Sequence, residues 1–592
     1  MRGVKGNRVQ HIGWLALGAL SGLLAGAAAL GAAELVAAAL RPQASVLTVV
    51  NEAVVRHTPA PVAQWALDTF KPNHKTYLQL GTAVSVGLIA MGLGVLALHR
   101  RRTGAAGVLL FGAVGAAAAL SGPASQAWDI APPLLGAPVG AAVLYLLAGR
   151  LTTPAPGPSV TEAPDGSGQA DDAPSPVTSA PTAGAATAGE PAAGEPATGE
   201  PATGEPATVG TGGGKPYLRL TDGGAGDRPT FDRRGFVIAA SAAAAASAGA
   251  GVLGRHLNAS SGAEAAASRT ALSIPAPADA AKPQPAGADL DVDGLSPFFT
   301  PNDEFYRVDT AIRVPRVDAT TWRLRIGGQG VRTPLTLSFD DLLGRELVER
   351  DITLTCVSNQ VGGPYVGTAR WIGVPLADLL REAGVRPPSA GGPADQLVSR
   401  SVDGMAIGTP VETVMDGRDA LLAFGMNGKP LPFDHGFPVR MVVPGLYGYV
   451  SACKWLRELE LTTFAAYDAY WVKRDWAARA PVKTQSRIDT PRPLASLSPG
   501  RVPVAGVAWA QHRGVARVEV RVDQGPWERA ELAPAATEDT WRQWLWEWDA
   551  TPGRHTLEVR ATDGEGRTQT SERVGTVPDG ATGWHSVVVT VT

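Results

Sequence analysis

At 592 residues the chain is too long for one hydrophobic core, and the usual size of about 150 residues per domain allows three or four folded units. The formal net charge of -3 decides nothing by itself, and with no basic block interleaved with aromatics no nucleic-acid partner is expected. The only cysteines, Cys356 and Cys453, stand outside any CxxC or Cys/His cluster, which argues against zinc and iron–sulfur centres.

Runs of Ala, Gly, Leu and Val near 12–33, 78–98, 104–122 and 132–149 are each long enough to cross a bilayer, so residues 1–150 read as a four-helix transmembrane region. Arg2, Lys5 and Arg8, and then Arg100, Arg101 and Arg102, mark cytoplasmic flanks. Both clusters give the same topology: N-terminus inside, loop 41–77 outside and Arg150 inside again. His11, His57, His74 and His99 fall at predicted ends or loops and no buried acid is expected within a span, so haem or a proton relay there has no support.

Residues 151–230 are rich in Pro, Ala, Gly, Thr and Glu, with a near-perfect GEPAT repeat from Gly189 to Thr208. Such a composition cannot bury enough apolar surface to offset chain entropy and reads as a disordered linker. Phe231-Asp232-Arg233-Arg234-Gly235-Phe236-Val237 and the Ala-rich stretch after it, within 231–256, fit either a twin-arginine-like export signal or an ordinary fifth span. Both place the remainder outside the cell membrane. Residues 257–294, rich in Ala, Pro and Ser, read as a stalk.

From about residue 295 the pattern becomes that of a soluble α+β protein, expected to run to 488. Trp322–Ile326 alternates like a strand, and Phe339–Leu343 and Pro375–Ala383 look like short helices. At Cys356 a strand delivers a single thiol into a glycine-rich loop that runs through Gly362 and Gly363 and leads to Ala369-Arg370-Trp371. A thiolate suits a thiophilic metal, but a lone cysteine is as often an inert core residue, and the residues alone leave the two readings level.

Three ordered motifs resemble the sulfite oxidase family of molybdopterin-dependent oxidoreductases: the Cys356 loop with its Ala369–Leu376 segment, Thr300–Arg307, and His435–Gly448 continuing to Lys454. The resemblance covers about residues 295–592. It implies molybdenum-molybdopterin as cofactor, Cys356 as metal ligand and Asn302, Phe305 and Tyr306 as cofactor contacts. It further implies His435, Arg440, Ser451 and Lys454 in the pterin-phosphate loop, where an Arg fork, a Lys point charge and close backbone amides suit a phosphate. A Cys356–Cys453 disulfide is the main rival to metal ligation.

The resemblance weakens at the substrate. After the thiol the chain reads Asn359-Gln360-Val361 with no arginine, and Trp476 stands where the family has a tyrosine. Arg370 and Arg474 are the remaining candidates to meet a substrate anion, with a structural salt bridge the alternative for each. No haem-binding motif is fused, so a separate electron-transfer partner, a cytochrome or a quinone-linked membrane protein, is expected.

After residue 489 the strand-like runs Val502–Trp509, Val515–Val522, His555–Ala561 and Trp584–Val591 point to an all-β immunoglobulin-like sandwich that fills its core or an interface with tryptophan. The family's counterpart implies a homodimer through this domain. The whole reads as a multi-pass cell-membrane protein with an extracytoplasmic catalytic domain acting on a small-molecule substrate. Its rivals are a cofactor-free membrane-anchored scaffold that keeps the fold, and an S-oxide reductase that runs the same centre in reverse.

Overall fold

The computed structural model describes residues 2–40, 44–59, 62, 65, 66, 69, 70, 74–122, 125–152 and 232–592. The expected linker, with its GEPAT repeat, and Phe231 lie outside the described residues. The first part of the chain is helical: α1 (Arg2–Leu40), α2 (Val46–His57), α3 (His74–His99), α4 (Arg101–Leu120), α5 (Ala131–Thr152) and α6 (Arg233–Ala271). Among the described residues, five stretches are long and apolar enough to cross a membrane: Ile12–Leu40, Lys75–His99, Arg101–Leu120, Ala127–Thr152 and Arg233–Gly254. Four coincide with the expected spans and the fifth is the twin-arginine-like segment.

Small residues set the helix separations. A Cβ on Gly22 of α1 would lie 1.9 Å from the Ala90 carbonyl oxygen of α3, and one on Gly136 of α5 would lie 2.4 Å from that of Ala29. These backbones meet directly, as apolar helices do when side-chain packing replaces the hydrophobic drive. One expectation fails here. The apolar stretch continues to Leu40, so Glu34 falls inside a candidate span, where its carboxylate accepts a 2.5 Å hydrogen bond from Ser45 Oγ.

Residues 257–294, expected as a stalk, divide in two. Helix α6 runs on to Ala271, and the segment after it lies along the strands that follow. Ala278 N–H donates to Leu347 O at 2.8 Å, and Leu290 N–H donates to Gln543 Oε1 at 2.6 Å. An Ala/Pro-rich segment has no core of its own, yet its extended backbone still offers amides to a sheet edge.

The domain's strands are β1 (Arg323–Gly328), β2 (Leu335–Ser338), β3 (Val348–Thr355), β4 (Val366–Pro375), β5 (Gln396–Ser401), β6 (Ala406–Pro410), β7 (Leu421–Met426), β8 (Lys429–Pro430), β9 (Arg440–Val442) and β10 (Leu456–Thr462). One sheet runs β2-β1-β10-β5-β6, with β1 and β10 parallel; the other runs β3-β4-β7-β8, with β9 also paired to β7. The expected helices occur as α7 (Phe339–Leu343) and α8 (Leu376–Glu382). Strand β4 is buried along nearly its whole length, the pattern of a strand covered on both faces.

The C-terminal part is β-rich: β11 (Gln485–Thr490), β12 (Ser496–Leu497), β13 (Gly500–Trp509), β14 (Val515–Val522), β15 (Glu528–Arg529), β16 (Glu531–Leu532), β17 (Arg542–Ala550), β18 (Gly553–Asp563) and β19 (His585–Val591). Sheets β11-β13-β17-β16 and β12-β19-β18-β14-β15 share a core that contains Val504, Val518, Leu557, Trp544 and Trp548. The tryptophans divide by role. Trp509 and Trp541 join the core of the preceding domain, while Trp527 pairs edge-on with Trp584 at 4.9 Å.

Trp541 ties the two parts together. Its backbone N–H donates to Thr353 Oγ1 on β3, and its indole N–H donates to Phe298 O at 2.9 Å. Trp541→Ala should therefore lower stability by about 3–5 kcal/mol, against about 1 kcal/mol for Trp527→Ala. Denaturant or thermal unfolding of the two variants checks this.

Candidate functional site

Strand β3 ends at Thr355 and the next residue is Cys356, which is buried. The loop after it is fixed by its own backbone and by one amide. Cys356 N–H donates to Tyr365 O at 2.9 Å, Asn359 N–H donates to Cys356 O at 3.0 Å, and Asn359 Oδ1 accepts from Tyr365 N–H at 2.8 Å. Gly362 has φ +75°, and a Cβ there would lie 2.1 Å from the His585 ring, so the turn both needs glycine and abuts β19. Arg487 of β11 donates to Gly363 O at 2.9 Å. The thiol loop is thus held from outside by the C-terminal sheets.

Tyr306 and the Lys454 charge act on the thiol, and Phe305 and Arg440 stand against Tyr306 in turn. Sγ of Cys356 lies 2.9 Å from Ser358 Oγ; burial raises the thiol's pKa, while Ser358 and the Lys454 charge oppose that rise. Tyr306 stacks on Phe305 at 5.2 Å, and a Cβ on Gly448 would lie 4.0 Å from the Tyr306 hydroxyl and 3.7 Å from Thr355 O. Burial pushes the Tyr306 pKa up, with Cys356 adding to the rise and Arg440 opposing it.

Arg440, at the start of β9, is buried with its guanidinium 5.0 Å from the Trp371 ring. It donates to His435 O at 3.2 Å and to Ala452 O at 3.5 Å, and its Nε has no hydrogen-bond partner. Burial lowers its pKa to about 10, so it stays charged at neutral pH. Lys454 is also buried; its ammonium donates to Asp309 Oδ2 at 2.7 Å and to Asp434 O at 3.0 Å, and burial pulls its pKa down to about 8 against the pull of Asp309. His435 Nε2 lies 3.0 Å from Asn302 O and its ring packs edge-on to Phe305; burial, and then Arg440, lower its pKa to about 4, leaving it neutral.

The remaining expected residues are placed less directly. The Asn302 carboxamide is taken up within the fold, donating to Met426 O at 3.1 Å and accepting from Asn427 Nδ2 at 2.9 Å. Ser451 donates back to its own turn, with Leu446 O at 3.0 Å and Tyr447 O at 3.1 Å.

Arg370 and Arg474 are not brought to the thiol as free charges. Arg370 makes a bidentate pair with buried Asp351, at 2.7 and 2.8 Å, because the β3–β4 register sets the two opposite each other. Arg474 folds over Tyr470, 3.8 Å from the ring centre, and donates to that residue's carbonyl. Trp476 packs against Tyr449 and Trp471. Cys356 and Cys453 are both free thiols.

Sequence reasoning missed three residues that shape this site. Asp309 accepts from Lys454, from Arg307 at 2.9 Å and from Lys75 at 2.7 Å. Arg487 and His585 brace the thiol loop. Only the position of Asp309, just beyond the Thr300–Arg307 motif, could have drawn notice.

A buried thiol and an arginine that has no carboxylate partner among the described residues, joined through Tyr306, suit an anion-bearing, thiophilic group. Residues 311–471 match the family model described as an oxidoreductase molybdopterin binding domain. This defines the class of that segment, a molybdopterin-binding oxidoreductase domain.

Mouse mitochondrial sulfite oxidase is 34% identical over 272 residues, covering 40% of this chain and 49% of that protein. Chicken sulfite oxidase is 34% identical over 292 residues, 42% of this chain and 62% of that protein. A solved structure, the sulfane dehydrogenase SoxCD from Paracoccus pantotrophus, aligns at 24% identity and a TM-score of 0.43, covering 50% of this chain and 84% of that one. The chain spans about half the length of the curated relatives it matches. Within that class, the domain is similar to those of the sulfite oxidases.

The family implies molybdopterin-bound molybdenum, and the residues present fit that group. Burying a guanidinium without a countercharge costs several kcal/mol, and the orphaned Nε of Arg440 is the atom a phosphate oxygen would satisfy. The soft Cys356 thiol supplies a donor suited to the metal.

The neutral, buried His435 carries a pH signature. Its folded pKa lies below the unfolded value of about 6.5, so below that pH the unfolded chain binds more protons and stability falls as pH drops from about 6.5 toward about 4. His585, lowered to about 4, acts in the same direction. Stability measured by denaturant across that window should drop by up to about 3 kcal/mol per histidine, and His435→Gln should flatten the slope.

Proposed function

We propose that this protein is a membrane-tethered, multi-pass, extracytoplasmic molybdopterin-dependent oxidoreductase that transfers an oxygen atom in two-electron steps to or from a small sulfur oxyanion or S-oxide. The single observation that carries the reading is the buried Cys356 thiol grouped with Tyr306, the unpaired Arg440 and Lys454. The bound group supplies the oxygen-atom chemistry. Cys356 holds the metal, Arg440 and Lys454 hold the pterin phosphate, Phe305 and Tyr306 wall the pocket, and His435 stays neutral as a hydrogen-bonding contact.

The domain boundaries proposed are 295–488 for the cofactor domain and 489–592 for an immunoglobulin-like sandwich that serves as a homodimer surface. Electrons leave or arrive through a separate partner, a cytochrome or a quinone-linked membrane protein.

A specific observation favours the reductase direction. Arg370 and Arg474 are both engaged elsewhere, and Asn359 occupies the loop where an anion-binding arginine is absent. A neutral S-oxide needs no such charge, whereas a sulfite dianion does. Steady-state assays with sulfite and with methionine sulfoxide separate the two.

Elemental analysis of the purified full chain should give near-stoichiometric molybdenum. Cys356→Ser should lose metal affinity by more than the roughly 10–100-fold typical of an outer-shell partner, together with the thiolate-dependent optical absorption. A metal-free wild type with oxidised cysteines would instead point to the scaffold. Arg440→Met gives an independent check: it removes an uncompensated buried charge, so the cofactor-free protein should be as stable as wild type or about 1–4 kcal/mol more so, while molybdenum occupancy falls.

A further inference from the structure

The helical region reaches the proposed cofactor cradle through one side chain. Lys75 lies in the first turn of α3, at the beginning of the Lys75–His99 candidate span. Its ammonium donates to Asp309 Oδ1 at 2.7 Å and to Ala311 O at 2.8 Å. The other oxygen of the same carboxylate accepts from Lys454 at 2.7 Å and from Arg307 at 2.9 Å. The Asp309 side chain is only 5% exposed and that of Lys454 only 10%, so water screens these contacts weakly.

The consequence follows from counting acceptors. An ammonium has three protons, and Lys454 uses one on Asp309 and one on Asp434 O, leaving one for a further anion. With Oδ1 occupied by Lys75, Asp309 can offer Lys454 only one oxygen, which is shared with Arg307. Removing Lys75 would free Oδ1, let Asp309 draw Lys454 more tightly to itself, and withdraw one positive charge from the surroundings. Lys75 also pins Ala311, five residues beyond Tyr306 on the same segment.

We propose that Lys75 is a positioning residue for the cofactor: by occupying Oδ1 of Asp309 it keeps Lys454 available to the pterin phosphate, which makes the first turn of α3 a working part of the cofactor cradle. This rests on the reading that Arg440 and Lys454 hold that phosphate. Lys75 touches no cofactor atom itself and acts through Asp309.

The test uses the purified full chain in detergent or bilayer discs as wild type, Lys75→Gln, Lys75→Met, Lys75→Arg, Asp309→Asn and Lys75→Gln combined with Asp309→Asn. The readouts are molybdenum per chain and the rate of pterin release by fluorescence at fixed temperature, with melting temperature as the control for fold. Lys75→Gln should release pterin about tenfold faster than wild type, the lower end of the roughly 10–100-fold typical when a residue acts on a bound group through another side chain. Lys75→Arg should restore the slow rate, and the effect of Lys75→Gln should vanish when Asp309 is already Asn.

Lys75→Met reads the same loss of charge should Lys75→Gln fail to accumulate. Wild-type release rates in both neutral variants, or an undiminished effect in the Asp309→Asn background, overturn the inference and leave the cofactor reading standing. A wild-type chain with no molybdenum overturns the cofactor reading and this inference together.

Discussion

Buried positive charge is the constraint on which this site depends. Lys454 and Arg440 are taken out of water as neighbours, and among the described residues a single carboxylate, Asp309, forms an ion pair with the first of them while none does with the second. A buried ammonium tolerates this because Asp309 and a backbone carbonyl satisfy two of its protons. The guanidinium is left with two long contacts to carbonyls and the face of Trp371. A fold under selection for stability alone would replace such a residue, since an apolar side chain of similar volume costs nothing in desolvation. Its presence against Tyr306, which also neighbours the buried Cys356 thiol, is the physical argument for an anionic ligand here.

The same constraint explains the architecture around the pocket. The loop that carries the thiol is closed by its own backbone and by Asn359, but its glycine-rich turn gains further support from outside. The C-terminal sheets do this work through Arg487 on Gly363 and His585 against Gly362, while Gln511 donates to Thr353 O and Thr355 Oγ1 on the strand that leads to the cysteine. Trp541 closes the joint by burying its ring in the neighbouring core. The second β unit is therefore a brace for the site, whatever further contacts its outer face makes.

Much of this was legible in the chain. Alternation located β13, β14, β18 and β19 to within a residue or two, and apolar runs located the candidate spans, because both signals are local and periodic. Cys356, Arg440 and Lys454 stood out because each sits in a motif whose residue types match a chemistry. What the chain did not show was pairing across the fold. A salt bridge was one of the two readings of Arg370, but its partner Asp351 is set only by the β3–β4 register, and Asp309 carries no signal because its partners Lys75 and Lys454 lie 234 and 145 positions away. Glu34 was overlooked because the apolar stretch was ended at residue 33, short of the helix, which continues to Leu40.

The long-range pairs also bear on how the molecule is organised. Helix α6 does not stop where its apolar stretch stops; it runs to Ala271, and Arg269 in its last turn donates to Leu431 O at 2.6 Å and to Pro430 O at 2.8 Å. Lys75 of α3 meets the same domain at Asp309. Two helices therefore contact the domain through charged side chains, one on backbone carbonyls just before His435 and the other on the acid that holds Lys454. A flexible tether would need neither contact, and one apolar helix would suffice to anchor a catalytic domain. The extra helices make physical sense if their ends help to set the charge balance of the pocket, because a lysine placed at the mouth of a candidate span stays solvated while it reaches a carboxylate that water barely touches.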